Sequence, residues 1–207
     1  MRRLALAALL ALATSGGGAI ARAAAAPSVD VVLQKLAAGG RDSRRLDGEF
    51  TQRNRVKLFK QELRSTGKFS FEKPRKVRWE YVDPDPSVLV VDEKRATLTT
   101  PGTAPQVFDL ERDATMRTVF DQLLLWMGAG GSDGDGAKLR ADYDLTTAGT
   151  DAQPTLILTP KATSPVARAF TRIELRVDAK TNLLRSILLV EKNGDEKEIT
   201  FSSLKRP

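Results

Sequence analysis

The chain has 207 residues, 41% of them hydrophobic and 29% charged, with 33 basic residues against 26 acidic ones and a net charge of +7. That suits one globular domain of ordinary size. Because there is no Cys and no His, thiol nucleophiles, disulfides, histidine triads and imidazole-ligated zinc or haem are excluded.

Residues 1–26 read as a cleavable export signal. Arg2 and Arg3 precede an apolar core from Leu4 to Ala13, and Ala21-Arg22-Ala23 fits an A-x-A cleavage site. The apolar core is too short to span a bilayer, which takes about 20 residues. Cleavage removes three Arg, leaving 30 basic against 26 acidic residues and a charge of +4. Residues 27–207 then form a single domain expected in the periplasm.

Ser28 is a candidate N-cap for a short helix with Val29, Val32, Leu33 and Leu36 on one face, stopped at Gly39-Gly40. From Leu46 onward the apolar period is two. Phe59, Leu63, Phe69 and Phe71 alternate with Lys60, Glu62, Arg64, Lys68 and Glu72; Val77, Trp79 and Tyr81 alternate with Lys76, Arg78 and Glu80. The same pattern recurs over 138–145, 172–177 and near Ile199 and Phe201. Turns are expected at Asp83–Pro86, Asp92-Glu93, Pro101-Gly102, Asp178–Asn182 and Asn193-Gly194. About ten strands follow from these runs. Each has one apolar and one charged face, as in an antiparallel sheet wetted on one side.

A second helix is expected over Ala114–Met127, ended by Gly128, and the glycine-rich stretch 128–136 is expected to be a loop. Its Leu123-Leu-Leu-Trp-Met127 run carries apolar residues further round the helix than one buried face needs, as a cover resting on a ligand would. A sheet this wide must curl. Pattern alone leaves open whether it splits into two packed sheets or curves once around an apolar interior. Asp83 and Asp85 flank prolines in a turn with no apolar shell to tune them, and no nucleophile motif is present. The chain is therefore read as non-enzymatic, with no cofactor, no metal and no nucleic-acid partner.

The segments Gly48-Glu-Phe-Thr-Gln52, Gly67-Lys-Phe-Ser-Phe-Glu-Lys-Pro74, Val77-Arg-Trp-Glu-Tyr81 and Leu89-Val-Val-Asp92 stand in fixed order, followed by Leu158-Thr-Pro-Lys161 and Ile199-Thr-Phe-Ser-Ser203. Together they resemble the periplasmic outer-membrane lipoprotein carriers of the LolA family. The resemblance implies a mainly β fold, a curved antiparallel sheet forming an unclosed half-barrel, with helices as a lid over an apolar cavity. It implies a monomer that takes lipoprotein acyl chains from an inner-membrane ABC-type exporter to an outer-membrane acceptor. Phe50, Phe69, Phe71, Val77, Trp79, Tyr81, Val88 and Val90 would line the cavity. Lys73, where the family usually carries an Arg that latches the lid, would act with Leu123, Leu124 and Met127, and Arg75 or Arg78 could supplement it. A sensor of the RseB kind and a lipid-acting extracytoplasmic enzyme are the alternatives.

Overall fold

A computed structural model describes residues 25–58, 61–127 and 135–207. Most of the expected export signal, Phe59 and the glycines of 128–134 lie outside the described residues. Among the described residues, eleven strands form one antiparallel sheet: β1 (Arg45–Val56), β2 (Gln61–Glu72), β3 (Lys76–Asp83), β4 (Ser87–Val91), β5 (Arg95–Thr99), β6 (Gln106–Asp109), β7 (Tyr143–Thr150), β8 (Gln153–Pro160), β9 (Phe170–Val177), β10 (Leu184–Glu191) and β11 (Glu196–Phe201). Their order is β6-β5-β4-β3-β2-β1-β11-β10-β9-β8-β7. The first and last strands thus meet at the centre, and β6 and β7 are the two edges of an unclosed sheet. Of the two arrangements the pattern left open, the single sheet is the one formed.

Three helices occur among the described residues: α1 (Val29–Arg41), α2 (Ala114–Trp126) and α3 (Asp135–Asp142). No described helix is long and apolar enough to cross a membrane. Both α2 and α3 lie in the connection from β6 to β7, so the chain passes from one sheet edge to the other through them. Ser28 caps α1 as expected, accepting from Val31 N at 3.4 Å. The helix nevertheless runs through Gly39 and Gly40 to Arg41. Those glycines are no stop signal. A Cβ on Gly39 would lie 2.0 Å from the Asn182 carbonyl oxygen, so this position lets the helix touch the β9–β10 turn.

The run 138–145 is only half a strand. Residues 135–142 form α3, and the strand begins at Tyr143. Over eight residues, Leu139 with Tyr143 satisfies a helical spacing as well as a period of two, and the first half belongs to the helix.

Hairpin chemistry is as expected elsewhere. Asp92 Oδ1 accepts from the N–H groups of Lys94 and Arg95 at 2.9 and 2.7 Å, and these donors hold its carboxyl below the ordinary range. Asp178 is lowered in the same way, chiefly by the Thr181 N–H. Gly194 takes the left-handed conformation, with φ 87°, that an Asn-Gly turn requires.

The sheet's outer face is a charged ladder. Glu198 on β11 pairs with Arg53 at 2.5 Å and with Arg176 at 3.1 Å, and Glu174 on β9 pairs with Arg172 at 3.1 Å. Such exposed pairs contribute about 0–1 kcal/mol each; their main effect is solubility. Folding is driven from the inner face. There Phe50, Phe69, Phe71, Leu156, Leu158, Ile173, Leu175 and Ile187 belong to one contiguous buried cluster that also takes in residues of α1 and α2.

Candidate functional site

Strand pairing fixes which side chains share the inner face. Partners across an antiparallel pair point to the same side, and Phe50↔Phe201, Gly48↔Phe69, Phe69↔Trp79, Phe71↔Val77 and Gly67↔Tyr81 all lie on it. Six of the eight cavity candidates, Phe50, Phe69, Phe71, Val77, Trp79 and Tyr81, are therefore on the inner side. Phe50 stacks obliquely on Trp79 at 4.6 Å and meets Tyr81 edge-on at 5.4 Å, and Phe69 meets Trp79 at 5.3 Å.

Val88 and Val90 are not with them. They pair with Glu80 and Arg78, which places them on the charged outer face. Leu89 and Val91, partners of Trp79 and Val77, are the inner residues of β4. All four residues 88–91 are aliphatic, so alternation gives no parity there. Counting the pairing outward from Trp79 across the turn would have found it.

The helices cover the inner face unequally. α1 lies over β7, β8 and β9, and its Asp30 pairs with Arg140 of α3 at 2.5 Å. By contrast, α2 reaches both halves of the sheet. At its C-terminal end Trp126 packs edge-on against Phe170 of β9 at 6.3 Å and donates through Nε1 to the Tyr143 hydroxyl at 3.2 Å. That hydroxyl donates to Gln122 Oε1 at 2.6 Å, and Gln122 Nε2 reaches Asp142 Oδ2 at 3.4 Å. Burial pushes the Tyr143 phenol up to about 12. On the opposite half, Asp121 of α2 pairs with Arg75 in the β2–β3 turn. Helix α2 thus bridges the opening, with Phe120, Leu124, Leu125, Trp126 and Met127 buried and Leu123 partly buried against the same cluster.

The hydrogen bond that Lys73 makes is to α1: its Nζ donates to the Arg41 carbonyl oxygen at 3.5 Å, at the C-terminal end of that helix, where a cation is favourable. The guanidinium two residues on makes the α2 contact. Both Arg75 and Asp121 are well exposed, at 36% and 45%, so this pair contributes at most about 1 kcal/mol. Arg75→Ala is accordingly expected to shift urea-unfolding stability by about 0.5 kcal/mol. The same change should raise amide hydrogen exchange in α2 more than in β8 or β9. Uniform exchange rates across α2 and the sheet would contradict the bridging role.

The hollows of the outer surface have a different character. One of about 340 Å³ is bounded by Arg45, Asp47, Glu49, Lys68, Arg78 and Glu80. No group of three or more acidic side chains able to hold a metal occurs among the described residues.

A broad one-faced antiparallel sheet, open at its edges and crossed by an amphipathic helix, defines a helix-covered half-barrel. The family model described as "Outer membrane lipoprotein carrier protein LolA" matches residues 41–207, and the chain belongs to that family. Among curated proteins, none matches the chain. Among solved structures, the complex of Pseudomonas aeruginosa MucA and MucB is 20% identical, with 84% of this chain and 56% of that one covered and a TM-score of 0.46. The chain therefore spans little more than half the length of that relative. The Mycobacterium tuberculosis lipoprotein LppX is 11% identical over 87% of this chain and 98% of that one, with a TM-score of 0.47. A LolA superfamily protein from Nitrosomonas europaea is 12% identical over 88% and 94%, with a TM-score of 0.43.

Proposed function

We propose that this chain is an exported, non-enzymatic carrier that holds acyl chains of lipoproteins or other lipids between the inner sheet face and α2. It would carry them across the periplasm from an inner-membrane exporter of the ABC type to an outer-membrane acceptor. The observation that carries this reading is α2 itself. Its apolar side rests on the inner aromatic and aliphatic side chains, yet its tie to the β2–β3 turn is an exposed ion pair of small energy. Membership of the lipoprotein-carrier family supports it.

The chemistry required is modest. Each methylene removed from water contributes about 0.8 kcal/mol, so a sixteen-carbon acyl chain gains about 12 kcal/mol gross on any dry aliphatic wall. Release then needs an acceptor with a better apolar site and a cover that opens at small cost. A weakly latched helix supplies the second condition.

Native mass spectrometry of protein purified from the periplasm is expected to show a copurified lipid or acylated peptide. The delipidated protein should shield a fluorescent fatty acid from water. A chain that is empty as isolated and leaves that probe's emission unchanged would remove the carrier reading. Lipid hydrolysis abolished by one Ser or Asp substitution would replace it with an enzyme.

A further inference from the structure

The inner face is not uniformly apolar. Trp79 is 7% exposed; its Nε1 lies near enough to the Tyr81 hydroxyl to act on that phenol, yet it makes no well-formed hydrogen bond among the described residues. An indole nitrogen can only donate, and a buried donor without an acceptor is costly. Next along the same face of β3, the Tyr81 hydroxyl donates to Gln52 Oε1 at 2.8 Å. Gln52 is 6% exposed, and its amide donates to Asn54 Oδ1 at 3.1 Å. A carboxamide has two N–H groups, so a second donor remains beside this chain. One rung further, Lys197 of β11 pairs with Asn54 and Leu189, which puts it on the inner side. Its ammonium has no carboxylate partner among the described residues.

The polar groups run in one direction. Phe71, Val77 and Val91 stand at one end of the central strands, and Gln52, Asn54 and Lys197 stand toward the other. The groups left over are donors: an indole N–H, an amide N–H and an ammonium. Donors without acceptors inside an apolar wall fit a ligand that brings its own oxygen atoms.

We propose that Trp79 Nε1, Gln52 Nε2 and Lys197 Nζ form a donor row on the inner face that takes the carbonyl oxygens of an acyl ligand and orients it. The hydrocarbon lies toward Phe71 and Val91, the acyl carbonyl beside Trp79 and Gln52, and a negative head toward Lys197. This rests on the carrier reading above and adds to it the class of ligand and its direction. A pure hydrocarbon fits the same wall but leaves the row unpaired.

Three probes separate the possibilities: palmitate, methyl palmitate and dodecane, each measured by displacement of N-phenylnaphthylamine. In proton–nitrogen spectra of the wild-type chain, palmitate and methyl palmitate are expected to move the Trp79 indole proton downfield, and dodecane is not. The Trp126 indole, already bonded to Tyr143, serves as the internal control. Trp79→Phe keeps an aromatic ring and removes the donor. It should weaken both acyl probes about fivefold more than it weakens dodecane, roughly one hydrogen bond. Lys197→Met should weaken palmitate but not methyl palmitate, which separates a free carboxylate from an ester. An indole proton unmoved by acyl probes that do displace the dye overturns the donor row and leaves the carrier reading standing. A dye that never binds overturns both.

Discussion

Gly67→Ala is expected to lower the stability of the chain by about 3 kcal/mol or more, the upper end of what an added methylene costs in a packed core. The cause is local and severe. A Cβ at Gly67 would lie 2.1 Å from the Glu80 carbonyl oxygen and 2.5 Å from Cζ of Phe50. The first atom is backbone of β3 and the second is the ring that lies against Trp79 and Tyr81. Relief requires β3 to leave β2 or the Phe50 ring to leave the cluster. Pairing between the two strands already slips by one residue between Thr66 and Gly67, a bulge that a side chain would compound. Gly102→Ala is the control. Gly102 has φ 78° and open space where its Cβ would go, so only backbone strain opposes the change, about 1 kcal/mol. Urea unfolding of both variants checks the comparison. Equal losses would mean that Phe50 does not lie over Gly67.

That glycine also shows why so much of the fold was visible in the linear chain. It opens the segment Gly67-Lys-Phe-Ser-Phe whose odd positions turn inward, and its spacing from Phe50 and Trp79 is what a three-strand patch needs. Where one face is apolar and the other charged, a period of two states both the strand and its orientation. This holds for β2, β3 and β9. It fails for Val88–Val91, where both faces are aliphatic and only the pairing with Trp79 and Val77 decides which residues turn inward. It fails again at 138–142, too short for a helix and a strand to differ in pattern.

The cover was legible as an amphipathic segment, but its attachments were not. Lys73 and Arg75 differ in role because the β2–β3 turn aims one at the end of α1 and the other at Asp121. Gln122, Asp142 and Tyr143 become one relay only when β7 is placed against α2. No spacing rule brings together residues on either side of a 128–134 connection.

That relay is the site of the second large effect. Tyr143→Phe is expected to destabilise the chain by about 2–6 kcal/mol near neutral pH, because it leaves two buried groups unpaired at about 1–3 kcal/mol each. These are the Trp126 indole N–H and the Gln122 carbonyl oxygen. The alkaline limb should then show the opposite trend. The phenol titrates near 10 in the unfolded chain and at about 12 in the folded one, where burial disfavours the phenolate. Below 10 both states keep the proton, so the tyrosine makes no pH-dependent contribution. Between 10 and 12 the unfolded chain releases it first, and stability falls as pH rises, by about 1.4 kcal/mol per unit at most and about 2.7 kcal/mol in all. Phe has no such proton. The gap between wild type and Tyr143→Phe should therefore be widest from pH 7 to 9 and narrow steadily toward pH 12. Tyr81, also raised by burial, remains in both proteins, so the variant's curve should flatten without becoming level. Urea-unfolding free energies measured from pH 8 to 12 give the comparison directly. Two curves that stay parallel would mean that Tyr143 is open to water and that α2 is not held through it.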